Sequence, residues 1–204
     1  MPDLEVSRRE RKKDETRERI FKEAILLFRE RGFDKTTIDD ITERADVAKG
    51  TFFNYFPKKE AVLAYLSEKR LAAAEENAGA ALASDRPASE KLIGIYLYAA
   101  SAYEEDRELS RFVLGELMSR AFGPNEESGQ RWNKLVLDVL EQGRASKELR
   151  PDFDLERVES LLASVYMATV YLWTNCPEIQ FELRPELEAR LRLVLEGIAR
   201  KDRS

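Results

Sequence analysis

Apolar residues recur along this chain at spacings of three and four, and short polar stretches interrupt the pattern. Ile20, Phe21, Ala24, Leu27 and Phe28 form one face of a helix predicted over residues 14–31. Gly32 is placed to stop it in a left-handed conformation, with Phe33 folding back. Thr37, with Asp40 three residues on, caps a second helix whose Ile38, Ile41 and Ala45 face the first. After a turn at Asp46-Val47, a third helix covers residues 48–55, anchored by Phe52 and Phe56. Pro57 precedes a fourth over 58–82. Further helices are predicted over 88–104, from a cap at Asp106 to 122, from the 123–129 loop to 145, from a cap at Asp154 to 175, and over 184–200.

The expected fold is all-α, with about nine helices. A three-helix N-terminal head is expected to carry a helix-turn-helix, followed by a larger helical body. The predicted segments are a disordered basic arm (1–13), the head (14–60) and the body (61–204). Composition agrees: 9 Gly and 7 Pro in 204 residues leave few helix breakers, and no alternating Val/Ile/Thr run suggests a sheet. One cysteine and no histidine exclude disulfide frameworks, Cys/His zinc sites and His-based triads. No metal, cofactor or enzymatic activity is expected. The longest uncharged run, residues 160–176, falls short of the ~20 residues of a spanning helix. Without an apolar leader, a cytoplasmic protein with no membrane partner is the expectation.

Charge changes the picture. The net charge is −5, yet residues 1–60 sum to +1 and the remainder to −6. SRRERKK (7–13) alone is +4, and Lys49, Lys58 and Lys59 fall in an acid-free stretch. Two basic patches on an acidic body suit a small surface facing nucleic acid. The third helix opens with small, hydrogen-bonding residues, as entry into a groove ~12 Å wide requires. Gly50 inside a helix costs roughly 1 kcal/mol against Ala, and close approach of backbone to DNA is a reason to accept it. Lys49 and Lys59 can reach phosphates, as can the hydroxyls of Thr37 and Tyr55, while Lys49–Thr51 and Asn54 are the candidate readers.

In order, Gly32-Phe33, Thr36-Thr37-Ile38, Ile41–Ala45, Lys49-Gly50-Thr51 and Tyr55-Phe56-x-x-Lys59-Glu60 resemble the TetR family of bacterial transcriptional regulators, over about residues 17–66. The resemblance implies DNA contacts at Thr37, Lys49, Gly50, Thr51, Tyr55 and Lys59, with Asn54 beside them as a base reader. The chain departs from the family at three positions: Asp46 at a turn often held by Gly, Phe53 where a tyrosine is common, and Tyr55 where His is common. The resemblance also implies repression of transcription released by a small, largely apolar ligand in the body. Tyr96, Tyr103, Phe112, Trp132 and Tyr166 are candidate lining, with Glu116 or Arg120 as a polar contact. A two-fold dimer on a palindromic double-stranded operator is the physical route to specificity. Apolar stripes on the last two helices nominate Leu161, Val165, Thr169, Leu172, Leu191, Leu195 and Ile198 for a four-helix homodimer interface. The competing reading is a helical small-molecule-binding protein or enzyme whose head does not bind DNA.

Overall fold

The computed structural model describes residues 8–121 and 127–199, and among these it contains nine helices. They are α1 (Arg8–Arg31), α2 (Ile38–Arg44), α3 (Lys49–Tyr55), α4 (Glu60–Leu82), α5 (Ala88–Glu104), α6 (Arg107–Ala121), α7 (Glu127–Ala145), α8 (Leu155–Asn175) and α9 (Leu183–Ile198). An isolated antiparallel bridge joins Leu149 to Ala199. None of the described helices is long and apolar enough to cross a membrane.

One boundary differs from expectation. The predicted disordered arm is helical from Arg8 onward, so α1 starts six residues before Asp14. Its Arg, Glu and Lys are good helix formers, and no Gly or Pro interrupts the run. Thr16 bonds back to the Lys12 carbonyl at 2.9 Å. Residues 1–7 of the arm lie outside the described residues.

The chain divides into two compact units after Leu66, six residues past the expected boundary. The reason is that the start of α4 supplies head core. Val62 and Leu63 are buried, and the Tyr65 ring lies 5.1 Å from Phe21 and 5.9 Å from Phe56. Around them pack Ile20, Ala24, Leu27, Phe28, Phe33, Ile41, Ala45, Phe52 and Phe56. Gly32 is left-handed (φ 85°), and Phe33 returns against Phe28 with ring centroids 4.9 Å apart. Asp46 also takes positive φ (49°) and so turns the chain between α2 and α3. Arg44 clamps α2 to α1, bonding Glu23 at 2.9 Å and Glu30 at 2.5 and 2.8 Å.

In the body, α5 packs against α6, α7, α8 and α9, and α8 pairs with α9. Leu92, Ile95, Tyr96, Val136, Val139, Leu140, Leu162, Val170, Leu187 and Leu191 form the centre of its core. Gly143 on α7 is required by contact. A Cβ there would stand 2.7 Å from the Ala88 Cβ and 2.8 Å from a Leu149 methyl. Pro87 leaves α5 without a side-chain cap of its own. Glu148 supplies one, accepting from the Ala88 N–H (2.6 Å), the Ser89 N–H (3.0 Å) and the Ser89 hydroxyl (2.6 Å). Burial pulls that carboxyl's pKa up, while these bonds and nearby Lys91 bring it net below the usual range.

Candidate functional site

The outer face of α3 is built by what lies beneath it. Phe52 and Phe56 are buried, which fixes the helix by its inner side and turns Lys49, Gly50, Phe53 and Asn54 to the surface. A Cβ added at Gly50 would meet no atom within 4 Å. Packing within the protein therefore gives no reason for glycine there. Among the described residues, Lys49 pairs with Asp39 at 2.7 Å in an exposed contact of the kind that is weakly held. Thr51 is half-buried, its N–H bonded to the Ala48 carbonyl.

Asn54 and Tyr55 line an open groove with Glu10, Lys13, Asp14 and Arg17 of α1. Arg17 was not singled out in the sequence. Its guanidinium carbon sits 4.0 Å over the Tyr65 ring and 5.7 Å over Phe56. Its buried Nε has no hydrogen-bond partner. The stacking needs a ring that arrives from α4, 48 positions later in the chain, so no local pattern signals it. Phe53 is also newly prominent. It is 45% exposed despite its size, and it lines a surface cleft with Thr37, Pro57, Lys58 and Lys59.

Two expected phosphate ligands are committed elsewhere. The Lys59 ammonium donates to the Phe33 carbonyl (2.7 Å) and the Thr36 carbonyl (2.9 Å), and lies 4.2 Å over the Phe33 ring. It fastens the α1–α2 corner to the start of α4. Thr37 forms a complete capping box: its hydroxyl donates to Asp40 Oδ2 at 2.6 Å and accepts from the Asp40 N–H at 3.1 Å. Its own N–H donates to Asp40 Oδ2 at 2.8 Å. The Thr37 hydroxyl bond, then its N–H bond, holds the Asp40 carboxyl below its ordinary value.

The structure brings together four of the expected ligand-lining aromatics. The Tyr96 ring lies 5.6 Å from Trp132 and 5.3 Å from Tyr166, and Tyr103 is buried in the same core. Burial raises the hydroxyl pKa of Tyr96, Tyr103 and Tyr166. Phe112 and Glu116 are half-buried on α6, and Phe112 lies under Arg111 at 5.0 Å. The Arg120 side chain lies outside those described.

The expected dimer stripe faces partly inward. Thr169, Leu191, Leu195 and Ile198 are buried in the body's own core and so cannot form an outer surface. The inner side of α9, which the spacing nominated, packs on α5 and α8, and Thr169 of α8 accepts a bond from Arg190 of α9 (3.2 Å). Leu161 is exposed, and Val165 and Leu172 are half-buried. Tyr171 of α8 and Leu193 of α9, the latter 70% exposed, are large apolar side chains on the outside that the spacing did not nominate.

Residues 20–66 match the pattern of bacterial regulatory proteins of the tetR family, and residues 68–197 that of the C-terminal domain of TetR/AcrR family transcriptional repressors. The chain is 34% identical to FadR of Thermus thermophilus, a TetR family transcriptional repressor solved with lauroyl-CoA. The likeness covers 92% of this chain and 97% of that one, with a TM-score of 0.71. It is 25% identical to the uncharacterised HTH-type regulator YerO of Bacillus subtilis over 91% of this chain, spanning 64% of that relative's length. It is 24% identical to the fatty acid metabolism regulator protein of Bacillus subtilis, covering 89% of this chain and 95% of that protein.

Proposed function

The chain belongs to the TetR family of bacterial regulatory proteins and is a DNA-binding transcriptional regulator, and on that footing we propose that it is a homodimeric cytoplasmic repressor, released from a two-fold symmetric operator by an acyl-coenzyme A thioester. The observation that carries the DNA reading is the outer face of α3, where Gly50 stands in open space beside exposed Lys49 and Asn54. Asn54 reads a base edge, adenine being its best partner, and Phe53 offers apolar surface of the kind that packs on a thymine methyl. Lys49, Thr51, Tyr55 and Arg17 position the helix on phosphates. Thr37 and Lys59 act indirectly, by holding α2 and the corner beside α3.

The ligand class rests on the relative bound to lauroyl-CoA, aligned along nearly its whole length, and on the aromatic, apolar centre of the body. Exposed Leu161 and Tyr171 on α8 and Leu193 on α9 support a second copy of the chain as partner. Ligand releases DNA only if its affinity differs between the DNA-competent arrangement and another.

The test is a gel-shift with the DNA upstream of the protein's own gene. Binding is expected to weaken steeply with salt and to be reversed by lauroyl-CoA but not by free coenzyme A. Absence of binding to any genomic fragment overturns the DNA reading, and indifference to lauroyl-CoA overturns the ligand class. Sizing the protein beside a Leu193→Glu variant tests the dimer, since an exposed position tolerates the charge in a folded monomer.

A further inference from the structure

The Tyr96 hydroxyl is buried, and among the described residues no acceptor stands in hydrogen-bonding geometry to its proton. The side chain is fully enclosed at the junction of α5, α7 and α8. Trp132 is the side chain that acts on it through hydrogen bonding, and an indole N–H only donates, so folding strips the hydroxyl proton of its water and gives it no acceptor. A phenylalanine would fill the same space without that loss, so the hydroxyl calls for a use. Its surroundings limit what that use can be. Trp132 and Tyr166 present rings on two sides. Glu159 of α8 is 7% exposed and close enough to act on the Tyr96 hydroxyl electrostatically. The Asn133 amide, with its nitrogen turned to these acceptors, reaches Glu159 Oε1 (3.2 Å) and the Gly129 carbonyl (3.0 Å). Arg70 lies 5.4 Å over the Tyr103 ring instead, and among the described residues no cation acts on Tyr96. A carboxylate placed here would face Glu159 with no counter-charge.

We propose that Tyr96 is the hydrogen-bonding anchor for one uncharged oxygen, a carbonyl or a hydroxyl, of an otherwise apolar ligand held in the Tyr96–Trp132–Tyr166 cluster. This rests on the acyl-thioester reading and narrows it. A thioester carbonyl is one source of the oxygen, and a hydroxyl on the acyl chain is the other. A free fatty acid is disfavoured because its carboxylate is charged.

The experiment is ligand binding to the full-length protein, read by calorimetry and by Trp132 fluorescence. The probes are lauroyl-CoA, its thioether analogue lacking the carbonyl, and lauroyl-CoA carrying one hydroxyl at successive chain carbons. The wild type is expected to favour an oxygen-bearing probe by about three- to tenfold, the range of one neutral hydrogen bond. A preference for thioester over thioether assigns the carbonyl; tighter binding of one hydroxylated isomer assigns the chain hydroxyl. Tyr96→Phe should erase the preference, leave ligand-free DNA affinity unchanged, and leave the melting temperature equal or higher. Unchanged probe ratios in Tyr96→Phe, or no preference in the wild type, overturn the inference alone. Failure of every probe to bind the wild type overturns the acyl-thioester reading and the inference with it.

Discussion

The head and the body place their polar groups in opposite ways. In the head the buried polar residues are Thr36 and Thr42, and each spends its hydroxyl on nearby backbone carbonyls. The remaining polar chemistry of the head, including Lys49 and Asn54, lies at or near the surface, apart from the Arg17 Nε buried against the rings of Phe56 and Tyr65. The body encloses Lys91, Ser110, Glu159, Thr169 and Thr174 together with three tyrosines. A surface that reads DNA needs accessible donors on a rigid support. A site for a mainly apolar ligand needs a few polar groups where water does not compete.

Phe52→Ala breaks this comparison most severely. Deleting a fully buried ring costs about 3–5 kcal/mol, a large share of what a small core supplies. DNA binding should be lost while a sizing column still shows the dimer. Loss of the dimer as well would mean that the two units do not stand independently. Lys59→Ala and Lys49→Ala sharpen the contrast between support and surface. Removing Lys59 strips a charged donor from two carbonyls and should cost about 1.5–3 kcal/mol in urea unfolding. Its effect on the salt slope of DNA binding should stay below one unit. Lys49→Ala should shift stability by no more than about 0.5 kcal/mol and lower the salt slope by about one. A full unit of slope lost in Lys59→Ala would make it a phosphate ligand after all.

The smallest effects are in pH, and they run in opposite directions. Asp40 has a depressed folded pKa, chiefly through the Thr37 hydroxyl. Its contribution is therefore present above the ordinary carboxylate range and is lost as pH falls through it. Glu159 has a pKa raised by burial, so its contribution is present at low pH and fades as pH rises through the raised value. Melts across the acid-to-neutral range should show Asp40→Asn flattening the acid limb and Glu159→Gln flattening the other. If both variants flatten the same limb, the opposition is wrong.

Much of the fold was legible because its signals are local. The Thr37–Asp40 box, the Gly32 stop and the Asp154 cap each lie within a few residues of the helix end they set. Phe52 and Phe56 were assigned inward by spacing, and they are buried. The site was less legible wherever a partner comes from far along the chain. Lys59 has the composition of a phosphate ligand, and only the carbonyls of Phe33 and Thr36 show that its ammonium is occupied. Arg17 needs Tyr65. Leu191 and Leu195 read equally well as interface or core, because periodicity shows that a face is apolar but not what covers it. Tyr96 and Trp132 could be grouped by type, while a hydroxyl proton with no acceptor exists only once α5, α7 and α8 meet.

The Glu148 cap on α5 has a consequence for the order in which the chain folds. The second helix carries its cap three residues from the N–H groups it satisfies, so it can begin to form before anything else has docked. The fifth helix must wait for a carboxylate 59 and 60 residues downstream. Such a closure is slow, because a long loop of chain loses its freedom before the contact repays it. During synthesis the head can therefore reach its native form while the first turn of α5 still frays. The cap on that turn is complete only after the chain beyond α7 has emerged.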